Sequence, residues 1–459
     1  MRILLVTHFF PPKHTAGTEN YTLGLARALQ ENGHKVQVLC AEDWDHGQAY
    51  WNDVTDEVYQ GIQVRRIHLN WLQAKDPNRV LYESDVVNQW MVEFLKHETF
   101  DVVHVTSTLS LGVGILRAVK QARIPLVLTL MDFWFLCPSI QLLRSDGTLC
   151  HGVTTASECQ ACLMDSSGVA KRLNRLGVSA SQQQKLWDNL VIIPTLRKTR
   201  GFRGMLLDMR ERKALLKTAI ELPDLVISHS NTVRDMFSAH TSRPIVVLRN
   251  GHDLTWLQVF NGKSIHDKVR IVYTGQLTEI KGVHILVAAF KKANISEQAQ
   301  LDIWGDLQKD PDYVHRLNNL IAGDGSIMLR GRFERNNLAN VFEKTDVLVV
   351  PSIWYENAPL VIQEAFATKT PVIASDLGGM SEAITHQIDG LLFEVGNIDD
   401  LAGQLIQFVT HATLRNSLIA GIKPVKHISQ EVSELERLYE TFGTTHHIEP
   451  WASENSKLN

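Results

Sequence analysis

Two glutamates frame the most chemically loaded run of the chain, Glu356-Asn357-Ala358-Pro359-Leu360-Val361-Ile362-Gln363-Glu364. Pro359 suits the opening of a helix, where its missing N–H costs nothing, and the apolar pattern carries that helix to about Thr368. Glu356 then falls in the loop before the helix and Glu364 in its second turn. Between them, the free N–H groups of Leu360 and Val361 lie at the positive end of the helix dipole, which suits a phosphate. An acid on each side of that site can accept hydroxyl protons, as the two ends of a nucleotide-sugar would require. A solvated loop acid and a surface helix acid would share this spacing, so the pattern alone leaves both readings open. A second anion site is spelled by Gly275-Gln276-Leu277-Thr278-Glu279-Ile280-Lys281-Gly282, with a glycine after a strand and a cation, Lys281, before a helix from Val283.

The elements that must place these residues read as parallel strands. Val347–Val350 is short, β-branched and closed by Pro351, and Pro371–Ala374 follows the helix. Strand, loop, helix, strand is a βαβ unit whose loop lies at the carboxyl end of the sheet. Val269–Thr274, Leu301–Trp304 and Ile327–Leu329 extend that sheet. The chain begins in the same way, with strand Arg2–Thr7, loop His8–Thr18, helix Glu19–Glu31 and strand Lys35–Cys40. Gln63–His68, Val102–Thr106, Leu126–Leu130, Asp224–Ser228 and Pro244–Leu248 are further strands, with helices near Glu83–His97 and Leu109–Gln121. His104, at a strand end, is expected to point toward the site, although a histidine there is as readily structural. The fold class is α/β, with Rossmann-like domains over 1–250 and 269–428. A 251–268 linker joins them, and the polar tail over 444–459 is expected to be disordered.

Cys137, Cys150, Cys159 and Cys162 lie in a Cys-rich and helical insertion of the first domain, about 137–222. Such clustering in a cytosolic protein favours a metal over disulfides, and four thiolates would suit a structural tetrahedral zinc; free thiols are the alternative. Further on, Arg197, Lys198, Arg200, Arg203, Arg210, Arg212, Lys213 and Lys217 outnumber the neighbouring acids, beside Phe202, Met205, Leu206 and Leu207. That face could rest on an anionic membrane or hold a phosphorylated lipid-linked acceptor, or simply be solvated. A formal net charge of -4 over 459 residues disfavours nucleic acid as the partner. The opening MRILLVTHFFPPKH fits a first strand better than a leader, and no apolar run reaches the roughly 20 residues of a membrane helix, so a cytoplasmic enzyme is expected.

The run Glu356 to Glu364 resembles the E-x7-E element of family 4 retaining glycosyltransferases with the GT-B fold. The flanking Pro351-Ser352, the P-x-I-A-S-x-x-G-G-x-x-E stretch from Pro371 to Glu382 and Asp389-Gly390-Leu391-Leu392-Phe393 match as well. The cysteine-containing stretch from Asp132 resembles a subset of that family active on bacterial polysaccharides. The resemblance implies two Rossmann-like domains facing each other across a cleft, with a helix at 429–443 crossing back to the first. It implies that Glu356 contacts the donor sugar, Glu364 the ribose, and the amides of Leu360 and Val361 the diphosphate. Asn357, Gly275, Gln276 and Lys281 would join the donor site, Gly17 would let the phosphate approach, and the turn at Arg330-Gly331 would read the base. Lys281 would stabilise the leaving group, and His104 and Asp132 would stand on the acceptor side.

Three residues depart from the pattern. Met131 stands where the family carries a histidine, in Thr129-Leu130-Met131-Asp132, so Asp132 or another loop must take that role. Gln276 replaces the usual arginine of G-R-x4-K-G, and Ala16 the first glycine of the opening loop. The resemblance implies a front-face reaction that needs no cofactor. Another enzyme on this fold, such as an epimerase or a phosphorylase, and a non-catalytic nucleotide-sugar-binding protein of a glycan assembly complex are the alternatives.

Overall fold

A computed structural model describes residues 1–44, 48–77, 79–165, 172–173, 175–179, 182–183, 185–186, 189 and 208–444. The chain divides into two compact units. The first holds Met1–His229, Val233–Arg249 and the chain from Ser429; the second holds Ser230–Thr232 and Asn250–Ile428.

The strands of the first unit are β1 (Arg2–Thr7), β2 (Lys35–Trp44), β3 (Trp51–Tyr59), β4 (Ile62–Asn70), β5 (Val102–Val105), β6 (Leu126–Leu130), β7 (Leu225–Ser228) and β8 (Ile245–Val247). They form one sheet in the order β3-β4-β2-β1-β5-β6-β7-β8. All neighbours are parallel except the β3–β4 hairpin. Ile3 to Val6 of β1 are wholly buried, as a central strand covered on both faces requires. The sequence reading missed β3. Its residues WNDVTDEVY are mostly exposed on an edge, so it has no apolar run to announce it. The helix expected from Leu109 starts at Gly114, because Ser110 and Gly112 take φ of +70° and +80° first.

The second unit is a wholly parallel sheet of β9 (Val269–Thr274), β10 (Ala299–Trp304), β11 (Ile327–Gly331), β12 (Val347–Val350), β13 (Val372–Ser375) and β14 (Gly390–Phe393). Its order is β11-β10-β9-β12-β13-β14, so the direction of winding reverses between β9 and β12. Loops leaving neighbouring strands at such a reversal diverge and leave a crevice at the carboxyl edge. The two sequence motifs follow these strands. In the first unit the same reversal falls between β1 and β5.

The stretch expected as a linker, 251–268, is instead built into the second unit. Lys263 Nζ donates to the carbonyls of Phe342 and Thr345, each at 2.7 Å, and to Thr370 Oγ1. The helix Ile428–Thr444 joins the first unit from Ser429, where Glu431 accepts the Tyr21 hydroxyl at 2.6 Å.

Candidate active site

Lys281 ends a single 3-10 turn after β9, and Glu356 lies in the loop after β12. Their charged atoms meet at 2.6 Å, Lys281 Nζ to Glu356 Oε1. The same oxygen accepts from Ser352 Oγ at 2.8 Å and from Trp354 Nε1 at 2.9 Å. The Lys281 ammonium also sits 5.1 Å from the centre of the Trp354 ring. Three donors thus hold one oxygen of a buried carboxylate. Among the described residues Oε2 makes no protein hydrogen bond, so this is the oxygen left for a ligand. Ser352 entered the sequence reading only as part of the flanking Pro351-Ser352 match, and Trp354 was not singled out, although both lie within the same short loop.

Glycines bring the loops this close. Gly282 has φ of +69°, and a Cβ there would stand 1.9 Å from the Pro351 carbonyl oxygen. On the other side, the Gly379 N–H donates to the Glu356 carbonyl at 2.8 Å, and a Cβ on Gly379 would stand 1.6 Å from the Asn357 oxygen. The double glycine of the motif is therefore a shelf under Glu356 and Asn357. Glu382, closing the same motif, accepts the backbone N–H groups of Asn231 and Thr232 at 2.9 and 2.6 Å.

The helix carrying the second acid runs Leu360–Ala367, with Pro359 at its N-cap rather than its first turn. Pro359 offers no side-chain cap, so the N–H groups of Leu360 and Val361 begin the helix without intrahelical partners. Glu364 is buried, with His252 Nε2 at 3.2 Å and Arg335 Nη1 at 3.4 Å from Oε1. Burial alone would push this carboxyl up, but the hydrogen bond and electrostatic influence of His252, with the Arg335 guanidinium beside it, hold it below the ordinary carboxylate range. His252 is fixed by its backbone, which donates to the Lys426 carbonyl at 2.9 Å and accepts from Ile428 at 3.0 Å. Near the edge of the sheet, Arg330 is tied to Asp302 Oδ1 through Nε at 2.9 Å and Nη2 at 2.8 Å. The structure thus gathers Lys281, Glu356, Asn357 and Gly379 around one loop, and Glu364, His252 and Arg335 one helical turn beyond Leu360 and Val361. Gly275 follows β9, where a Cβ would come 2.8 Å from the Tyr273 hydroxyl, and that hydroxyl donates to the Gln276 carbonyl at 2.7 Å.

Two domain families match this architecture. Residues 16–184 match the glycosyl transferase 4-like domain, and residues 256–423 match glycosyl transferases group 1. The chain is a glycosyltransferase of the GT-B type. An uncharacterized glycosyltransferase of Methanocaldococcus jannaschii is 24% identical over 439 residues, 92% of this chain and 93% of that one. The UDP-Gal:alpha-D-GlcNAc-diphosphoundecaprenol alpha-1,3-galactosyltransferase of Escherichia coli is 32% identical over 158 residues, which are 29% of this chain and only 39% of that relative. Among solved structures, Anabaena HepE in complex with UDP and glucose shares the fold. It has a TM-score of 0.61 and 17% identity, over 97% of this chain and 100% of HepE.

In the first unit of this glycosyltransferase, the expected site residues fare unevenly. His104 does not point into any opening. It is wholly buried, with Nδ1 2.6 Å from the Tyr439 hydroxyl and Nε2 2.7 Å from Thr129 Oγ1, and burial pulls its pKa down to about 3. One ring nitrogen donates and the other accepts, so both are spent on the fold. Asp132 is partly exposed after β6, where its Oδ1 accepts the Trp134 N–H at 2.8 Å and burial raises its pKa. Gly17 starts the helix Gly17–Glu31, and a Cβ there would meet open space.

Cys137, Cys150, Cys159 and Cys162 are all free, and the Cys162 thiol feels the charge of the other three. Among the described residues, however, no three His, Cys, Asp or Glu side chains are arranged to hold a metal ion. Of the basic stretch, Arg197, Lys198, Arg200 and Arg203 lie outside the described residues, as do Phe202, Met205, Leu206 and Leu207. Arg212 is buried, stacked 4.2 Å over the Trp134 ring and bonded to the Trp134 carbonyl, and Lys213 binds Thr154. Those two cations serve packing rather than a membrane face. No helix among the described residues is long and apolar enough to cross a membrane.

Proposed function

We propose that the protein moves a sugar from a nucleoside-diphosphate-sugar to a hydroxyl of a glycan or lipid-linked acceptor, with retention at the anomeric carbon and without a divalent cation. The observation that carries this reading is the 2.6 Å contact of Lys281 with Glu356, at the strand reversal and ahead of an uncapped helix start. A diphosphate at the Leu360 and Val361 amides would draw the Lys281 ammonium to itself and leave Glu356 for the sugar hydroxyls. Glu364 would take the ribose hydroxyls, and the Arg330-Gly331 turn would face the base. As the bond from the anomeric carbon to the phosphate oxygen breaks, Lys281 and the amides stabilise the charge that develops on the diphosphate. The acceptor oxygen bonds the same face of the carbon, and its proton passes to the departing diphosphate.

Anabaena HepE, with UDP and glucose, supports a uridine donor, and the Escherichia coli relative, named for a diphosphoundecaprenol-linked acceptor, supports a lipid-linked one. Such an acceptor would be met at the inner face of the cell membrane. The test is nucleotide release from UDP-, GDP-, ADP- and dTDP-sugars in the presence of lipid-linked and free glycan acceptors. One donor should be turned over by the wild type and not by Glu356→Ala. Equal turnover by both proteins would reject the assignment.

A further inference from the structure

Glu364 is gripped on one oxygen only. His252 Nε2 and Arg335 Nη1 both reach Oε1, at 3.2 and 3.4 Å, and among the described residues Oε2 accepts no protein hydrogen bond. An ionised carboxylate can only accept, so Nε2 of His252 carries the proton of this contact. The Arg335 side chain is about half exposed, whereas His252 is buried, so the histidine is the firmer of the two partners. A purely structural acid in a buried place would have both oxygens paired. A grip on one oxygen instead aims the other.

The backbone of His252 is held as tightly as its ring. Its hydrogen bonds to the Lys426 carbonyl and from the Ile428 N–H make a parallel β-bridge between His252 and His427. Gly251 permits the close approach, since a Cβ there would stand 2.6 Å from the His427 carbonyl oxygen. Two residues before His252, Asn250 Oδ1 accepts from Gln363 Nε2 at 2.9 Å. Gln363 and Glu364 are neighbours on the helix Leu360–Ala367, so consecutive side chains of that helix hold residues 250 and 252 of one segment. The main stretch of the second unit runs from Asn250 to Ile428. The bridge therefore ties the beginning of that stretch to its end, and Glu364 is bonded to the bridge.

We propose that His252 is a positioning residue for the donor: it turns Glu364 so that Oε2 meets the ribose hydroxyls, and it carries the occupancy of that oxygen to the bridge between residues 252 and 427. The assignment rests on the reading of Glu364 as the ribose acid. A hydroxyl bound at Oε2 restricts the carboxyl, and the His252 contact at Oε1 passes that restriction to the backbone that holds the ring. Donor binding and the order of the paired segments are then coupled in both directions.

The experiment compares full-length wild type, His252→Ala and His252→Gln. UDP-glucose, UDP-galactose, GDP-mannose, ADP-glucose and dTDP-glucose are titrated calorimetrically, and amide hydrogen exchange is followed at His252 and Ile428 with and without the sugar that binds. Donor affinity should fall about tenfold in His252→Ala, with KM raised and kcat nearly intact. It should be largely restored in His252→Gln, whose side-chain amide can donate to the same oxygen. The bound donor should slow exchange of the Ile428 amide several-fold in wild type and in His252→Gln, but not in His252→Ala. A merely structural histidine would leave the donor-induced protection in place. If His252→Ala does not fold, His252→Asn, whose shorter amide falls short of Glu364, takes its place. Donor affinity indifferent to His252, or donor-induced protection that survives its loss, overturns the positioning role while keeping the donor site. A wild type that binds no nucleotide-sugar rejects the donor reading and the proposal with it.

Discussion

The two units carry the same device, a sheet whose winding reverses between neighbouring strands, yet the acids that follow it are paired in opposite ways. In the second unit Glu356 has one oxygen taken by three donors, one of them the Lys281 ammonium. In the first unit Glu19 shares one oxygen with His8 and leaves the other buried and unpaired. A site meant for a diphosphate must hold a cation, and a half-buried cation without its ligand needs an internal counter-charge. The contrast predicts where substitutions will be felt in chemistry and where in folding.

The largest effect should come from Glu356→Gln. It removes the charge that orients Lys281 and the oxygen assigned to the donor sugar, and kcat should fall about 10²–10³-fold, with a smaller drop in melting temperature because Lys281 loses its counter-charge. Steady-state kinetics and calorimetry on the same preparation check both halves. A larger kcat loss in Glu19→Gln than in Glu356→Gln would break the comparison.

His104→Ala is the folding counterpart. It strands the Tyr439 and Thr129 hydroxyls in the core and should destabilise the chain by about 2–4 kcal/mol in urea unfolding, with kcat of the folded fraction unchanged. Acid should find the same weak point. The folded chain holds this ring neutral down to about pH 3, while the unfolded chain takes up its proton near the ordinary 6.5. Stability should therefore drop as pH falls from 6.5 toward 3, with a slope of up to about 1.4 kcal/mol per pH unit from this group, and His104→Asn should flatten that slope.

Gly379→Ala tests the shelf. Its methyl would collide with the Asn357 carbonyl, so the Glu356 loop must shift, with roughly 1–3 kcal/mol lost from stability and at least tenfold from kcat. Full activity would show that the loop position is not what matters.

Glu364→Gln should act on donor affinity, raising its KM about tenfold with kcat nearly intact, since His252 and Arg335 still frame the pocket. This carboxyl is held below its ordinary 4.5, so it contributes stability above that pH and loses it as pH falls further. The acid limb of the wild-type melting profile should be shallower in the variant.

What the sequence revealed follows how local each cause is. Buried strands such as Val347–Val350 announce themselves by unbroken β-branched runs, and the Glu356 to Glu364 spacing reads from a helix start that nine residues define. β3 stayed hidden because its faces are polar and its order comes from pairing with β4. The burial of His104 depends on Tyr439, 335 residues away, so no neighbouring pattern carries it. The cysteine spacing was legible, but whether thiols converge on a metal is a matter of side-chain direction that spacing does not encode. Glu19 was readable as the start of a helix; its orphaned oxygen was not, because only the fold shows which polar atoms lack partners.

The most direct test of the donor site is a calorimetric titration of UDP-, GDP-, ADP- and dTDP-sugars into the wild type and Lys281→Ala. The expected result is micromolar binding of one donor, weakened at least about tenfold when the ammonium is removed. Binding that is indifferent to Lys281, or no nucleotide-sugar binding at all, would contradict the reading of the second unit as a donor site.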